Sequence, residues 1–113
     1  YLPGEGWRRI ADMPRPSVAA PSPAPAIGGS CLLVLGGDDG SQLGNPQESH
    51  RGFPRGIQAY DATRDRWHEP AQVPLSLVTT TSVDWYGALV VPGGEANPGV
   101  RSTDVWRASI EQQ

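Results

Sequence analysis

The chain has 113 residues, enough for one ordinary domain, and its 14 Gly and 12 Pro fall between apolar runs, where turn punctuation belongs. Lysine is absent, all nine basic residues are Arg and the net charge is −3, so no basic, aromatic-laced stripe suited to nucleic acid is present. Nothing approaches the roughly 18 consecutive apolar residues of a membrane-spanning helix, and the lone Cys31 excludes an internal disulfide.

In chain order, Trp7-Arg-Arg-Ile-Ala11 reads as a short strand. A weak strand follows at Ala24-Pro-Ala-Ile27, where Pro21, Pro23 and Pro25 each remove a ladder donor. Strands are predicted next at Cys31-Leu-Leu-Val-Leu35, at Ile57-Gln-Ala-Tyr-Asp61 and at residues 66–69, with Asp61 and Asp65 capping the turn between the last two. The β-branched run Val78-Thr-Thr-Thr-Ser-Val83 marks a strand over residues 77–84. Residues 88–91 and 103–109 complete the set. No helix longer than a turn or two is expected.

The pattern repeats. Gly36-Gly37 closes one apolar run and Gly93-Gly94 another; each pair precedes a strand bearing an aromatic, Tyr60 or Trp106, and follows a tryptophan, Trp7 or Trp67. A double glycine, a third-strand aromatic and a fourth-strand tryptophan at a period of roughly 50 residues resemble kelch-type β-propeller blades. The fold class is therefore all-β, with two four-stranded antiparallel blades in the order d-abcd-abc. Residues 1–12 hold an orphan strand d, residues 22–70 the first blade, and residues 76–110 a second blade without its own strand d. By analogy with propellers, the four tryptophans are expected in blade core rather than on a sugar-stacking surface.

In such a blade the b–c and d–a loops emerge on one face. The b–c loops here, residues 38–55 and 95–102, are the longer and richer ones, which makes that face the candidate functional face. The second carries Gly93-Gly-Glu-Ala-Asn-Pro-Gly-Val-Arg-Ser-Thr-Asp-Val-Trp106, which resembles the Gly-Glu-x-x-Pro-Gly-x-Arg segment of the N-acetylneuraminate epimerases, or sialic acid mutarotases, a family of six-bladed kelch propellers with a cyclically permuted subgroup. Gly52-Phe-Pro-Arg55 is also similar to bacterial relatives of that group. The resemblance implies Glu95 as proton acceptor, Arg101 as substrate contact, a small sugar acid as ligand and a periplasmic or secreted location. Opening and reclosing a sugar ring needs a carboxylate that takes and returns a proton, and an arginine fork suits a substrate carboxylate. The competing reading is a Glu95–Arg101 ion pair bracing the loop, or a non-catalytic kelch module serving assembly or partner binding.

No cofactor or metal is expected: His50 and His68 lack a third ligand, and Cys31 stands mid-strand as a small hydrophobe. A copper radical site would need Tyr, His and a Tyr-linked Cys together. Gly-x-Ser-x-Gly does not occur, and Gly36-Gly-Asp-Asp-Gly40 follows a strand without opening a helix. The chain has neither an initiator Met nor a signal-like stretch, which reads as processing or excision. Two blades leave apolar faces and a sheet edge open, so the expected partner is the chain itself. In a head-to-tail homo-oligomer, residues 7–11 of one copy would complete the second blade of the next; a trimer would give six blades.

Overall fold

The structure is a computed structural model that describes residues 6–109. The beginning of the predicted orphan-strand segment, residues 1–5, and residues 110–113 lie outside the described residues.

The first sheet is an antiparallel meander of β1 (Ala26–Ile27), β2 (Cys31–Leu35), β3 (Gly56–Asp61) and β4 (Arg66–Gln72). The apolar run of β2 makes it an inner strand, paired with β3 from Cys31–Asp61 to Leu35–Ile57. Only Ala26 and Ile27 of the predicted weak strand join the ladder; Pro25 offers just its carbonyl, to Leu33 N–H at 2.8 Å. β4 runs on to Gln72 through Pro70, which is tolerated because β4 is the sheet edge and its register slips opposite Gln58. The second sheet has three strands, β5 (Val83–Trp85), β6 (Ala88–Pro92) and, after a short hairpin of β7 (Glu95–Asn97) and β8 (Val100–Arg101), β9 (Val105–Ser109). The described residues are all-β apart from one 3₁₀ turn at Gln47–Ser49.

Three expectations need correction. First, the predicted strand over residues 77–84 joins its own sheet only from Val83 onward. Thr79 has a φ of 58°, which breaks the extended run, and residues 78–82 bond sideways instead. Val78 exchanges both backbone bonds with Glu95, at 3.0 and 2.9 Å. Thr79 N–H donates to Ala19 C=O at 2.8 Å, and Ser82 N–H to Ser22 C=O at 3.1 Å, stitching the inner segments of the two blades together. The first blade repeats the device: Val18 exchanges both bonds with Asp38, at 2.8 and 2.9 Å, beside Ala19 at a φ of 59°.

Second, residues 8–11 form no strand ladder. Ala11 is held by side chains: its N–H donates to Asp65 Oδ1 at 2.9 Å, and its carbonyl accepts from Trp67 Nε1 at 2.8 Å. Asp65 thus does not cap the c–d turn, whereas Asp61 does, accepting the N–H groups of Thr63 and Arg64 and pairing with the Arg64 guanidinium at 2.7 Å.

Third, the two aromatics are not equivalent. Tyr60 faces Leu32, but Leu89, the counterpart of Leu32 counted back from the glycine pair, faces Ala108; Trp106 occupies the station of Gln58. Nor are the tryptophans uniformly core. Trp67 is half-buried and packs against Tyr60 with ring centroids 5.2 Å apart, and Trp106, 38% exposed, lines the space between the sheets, whereas Trp7 and Trp85 are largely exposed.

The core lies between the sheets, where Leu35, Ala59, Leu77, Val78 and Leu89 are buried. An apolar cavity of about 340 Å³ remains there, lined by Leu33, Ile57, Leu77, Val91 and Trp106 among others.

The Tyr60–Asp65 pair gives this packing a pH dependence. Tyr60 donates its hydroxyl to Asp65 Oδ1 at 2.7 Å, and that bond, followed by the Ala11 N–H, lowers the Asp65 pKa; the same bond raises that of Tyr60. A lowered carboxylate stabilises the fold above its unfolded value of about 3.9 and loses that contribution as pH falls through the folded value. Asp65→Asn is therefore expected to lose less stability than the wild type between pH 6 and pH 3, measured as urea midpoints. Equal losses would exclude Asp65 as a contributor, and the lowered Asp61 and Asp39 leave a residual acid slope in both proteins.

Candidate functional site

The β7–β8 hairpin carries both predicted site residues. Pro98 and Gly99, the latter at a φ of 74°, turn the chain so that Glu95 and Arg101 become direct cross-strand partners. Directly opposed residues project from the same face of a ladder. Glu95 is half-buried and Arg101 exposed. Among the described residues neither the Glu95 carboxylate nor the Arg101 guanidinium has a hydrogen-bond or ion-pair partner, so the bracing salt bridge is not formed. The backbone beneath them is fixed: Val78 holds Glu95 on both sides, and Ser102 N–H donates to Gly94 C=O at 2.8 Å.

The first b–c loop lies against this hairpin. A Cβ added at Gly52 would come within 3.3 Å of Asn97 Oδ1 and 3.6 Å of the Ala96 carbonyl. The loop is closed by Gln42, whose Nε2 donates to Gly52 C=O and whose Oε1 accepts Arg51 N–H, both at 2.6 Å. His50 Nδ1 accepts Gly52 N–H at 3.1 Å, and the His50 ring meets Phe53 edge-on at 5.0 Å. The two b–c loops therefore share one face and touch.

Asp38 occupies the station of Glu95 in the first blade, just after its Gly-Gly pair and held by Val18 as Glu95 is by Val78. Asp38 Oδ1 already accepts Gly40 N–H at 2.9 Å, so this carboxylate is partly committed. Its neighbour Asp39 is held below the usual carboxylate range by the Ser41 hydroxyl and then by the Ser41 N–H. The repeat itself carried the signal for Asp38. Nothing in the sequence flagged Gln42, because its clamp depends on how the loop folds back.

Among the described residues no three His, Cys, Asp or Glu side chains gather in a way that could hold a metal ion. No helix there is long and apolar enough to cross a membrane.

No family model matches the chain. It is similar to the Kelch-like protein terF of Aspergillus terreus (strain NIH 2624 / FGSC A1156), with 33% identity over 82 residues. Those residues are 73% of this chain and 17% of that relative, so the chain spans only about a sixth of the relative's length. Together with the antiparallel strand order, this likeness supports a kelch repeat and gives the chain the fold of kelch-type β-propeller blades.

Proposed function

We propose that the chain is a kelch-type propeller module whose b–c loop face takes a small sugar acid, and that Glu95 and Arg101 interconvert the anomers of a sialic-acid-type sugar. The observation that carries this reading is the pairing of Glu95 with Arg101 across one hairpin with both side chains uncommitted. In this mechanism the Glu95 carboxylate takes the proton of the anomeric hydroxyl. The C–O bond to the ring oxygen breaks as the carbonyl forms, and the protonated Glu95 passes that proton to the ring oxygen. Rotation about the bond between the carbonyl carbon and its former ring carbon turns the other carbonyl face to the hydroxyl. On reclosure Glu95 takes the proton back from that hydroxyl and gives it to the new anomeric oxygen, so atoms and charge balance without a cofactor. The Arg101 fork holds the substrate carboxylate by paired N–H···O bonds.

Anomer exchange of N-acetylneuraminate followed by NMR tests this directly. The wild-type chain is expected to exceed the spontaneous rate, and Glu95→Gln to lose roughly 10²–10⁴-fold of that acceleration. Arg101→Lys is expected to raise the substrate concentration needed for half-maximal rate, since a point charge does not replace a bidentate fork.

The second reading is a non-catalytic kelch module, and the exposed apolar residues of the second blade favour it. It stands if the wild type and Glu95→Gln both match the spontaneous rate.

A further inference from the structure

The hairpin that carries Glu95 and Arg101 is short, three residues against two, and a two-stranded hairpin is marginal without support. Its base is fixed by the second blade. Val78 binds the Glu95 backbone at both N–H and C=O, and Ser102 N–H closes onto Gly94 C=O. A Cβ added at Gly94 would lie 2.8 Å from the Val78 carbonyl, so the base lies flush on the inner segment. None of these bonds reaches Asn97, Val100 or the turn between them. The register slips between Glu95 and Asn97, and Asn97 faces Val100. Successive residues of a strand point to opposite sides, so Asn97 and Val100 lie on the side away from Glu95 and Arg101.

That far side is where the first b–c loop arrives. Gly52, at a φ of 88°, presents its Cα so closely that an added Cβ would stand 3.3 Å from Asn97 Oδ1 and 3.6 Å from the Ala96 carbonyl. One side chain brings Gly52 there. Gln42 donates from Nε2 to Gly52 C=O and accepts Arg51 N–H at Oε1, both at 2.6 Å, as the backbone of a strand partner would. Its own backbone stands on two turns, in which Leu43 N–H donates to Gly40 C=O at 3.1 Å and Asn45 N–H to Gln42 C=O at 3.0 Å. Among the described residues, no other side chain of residues 40–46 bonds to the returning residues 51–55.

We infer that Gln42 is a positioning residue for the β7–β8 site: by clamping Arg51 and Gly52 it seats the first b–c loop behind the hairpin and sets the β8 limb, and with it the Arg101 guanidinium that meets the carboxylate of a sugar acid. The inference rests on the sugar-acid reading of this face. The two site residues thus have separate anchors. Glu95 takes its place from Val78 of the second blade, whereas Arg101, next to Val100, follows the tip that Gly52 supports. Loss of the clamp therefore acts on the holding of the substrate more than on proton transfer. A guanidinium fork tilted away from its carboxylate keeps one of its two bonds.

The test compares the wild type, Gln42→Ala and Gln42→Glu in two measurements. Gln42→Glu retains an acceptor for Arg51 N–H and loses the donor to Gly52 C=O, and it carries both measurements should Gln42→Ala not fold. In amide NMR spectra without ligand, Gln42→Ala is expected to shift Asn97, Val100 and Arg101 and to leave Val78 and Glu95 in place; Gln42→Glu is expected to shift the same amides less. In anomer exchange of N-acetylneuraminate, Gln42→Ala is expected to raise the half-maximal concentration about 10-fold, the scale of one bond to a charged group, with the saturated rate within about threefold of the wild type. Leu43→Ala, at the next residue and 92% exposed, is expected to move neither readout. A wild type that matches the spontaneous rate removes the anomer-exchange reading, while the amide shifts still decide whether Gln42 sets the hairpin. Hairpin amides that stay in place in Gln42→Ala, a Glu95 amide that moves as far as that of Arg101, or a saturated rate that falls at an unchanged half-maximal concentration overturns the inference.

Discussion

Gly36→Ala is expected to lower the thermal midpoint by roughly 10–20 °C at fixed protein concentration, equivalent to about 3–4 kcal/mol. Two causes combine. Gly36 has a φ of +66°, where an L side chain costs about 1–2 kcal/mol. A Cβ there would also meet the Ser76 side chain and come within 2.8 Å of the Pro54 carbonyl. Ser76 is buried and accepts Gly37 N–H at 3.3 Å, so it cannot swing away without abandoning that bond, and the Pro54 carbonyl yields only if the end of the first b–c loop moves. Overpacking of this kind costs about 1–3 kcal/mol more. Gly28→Ala separates the two causes. Gly28 has nearly the same φ, +62°, with nothing within 4 Å of the added carbon, so it should lose only the conformational part. Equal losses at the two positions would mean that the double glycine serves the turn alone and not the close approach of one blade to the next. Both measurements use the same protein concentration, because any contact between copies would add to apparent stability.

The double glycines were also what made the fold legible. The apolar runs before them became β2 and β6 nearly to the residue, since a central strand needs continuous apolar side chains on both faces. The β-branched run at residues 78–83 misled because strand propensity describes a pleated, half-buried surface, not the partner. Here the partners are Glu95, Ala19 and Ser22, reached through a residue of positive φ that propensity does not reveal. Tyr60 and Trp106 look equivalent as the aromatic of the strand after each glycine pair, yet the loops before them differ in length and only the ladder fixes the register. For the site, residues 95–102 read as a loop carrying Glu95 and Arg101, and the short β7–β8 ladder that makes the two cross-strand partners was not legible. Nor was the absence of an ion pair between those two, because it depends on where two flexible side chains settle after the backbone is fixed.

Leu77→Ala carries the second large effect, a loss of about 3–5 kcal/mol. Leu77 is 2% exposed and sits in the first stretch of the second blade, facing Leu35 and Leu89 across the space between the sheets. Truncation removes transfer energy and enlarges a gap of about 340 Å³ already present, and surroundings that have not closed that gap will not close a larger one. Against a typical domain stability of about 5–15 kcal/mol, that is about a fifth or more. With a urea slope of about 1–3 kcal/mol/M, the midpoint should fall by more than about 1 M at unchanged slope. Leu43→Ala, at a residue 92% exposed, should stay within about 0.5 kcal/mol of the wild type. The shape of the curve matters as much as the midpoint. A blade does not bury its own faces, so both sheets should unfold in one transition; a Leu77→Ala protein that unfolds in two steps would show that each sheet is stable without the other. The loss should also reach the loop face. Leu77 precedes Val78, whose N–H and C=O fix the Glu95 backbone, so loosening the inter-sheet core releases the base of the Glu95–Arg101 hairpin. Amide hydrogen exchange of Glu95 N–H should therefore accelerate in Leu77→Ala, while that of Val18 and Asp38, held by the same kind of bond in the first blade, accelerates less.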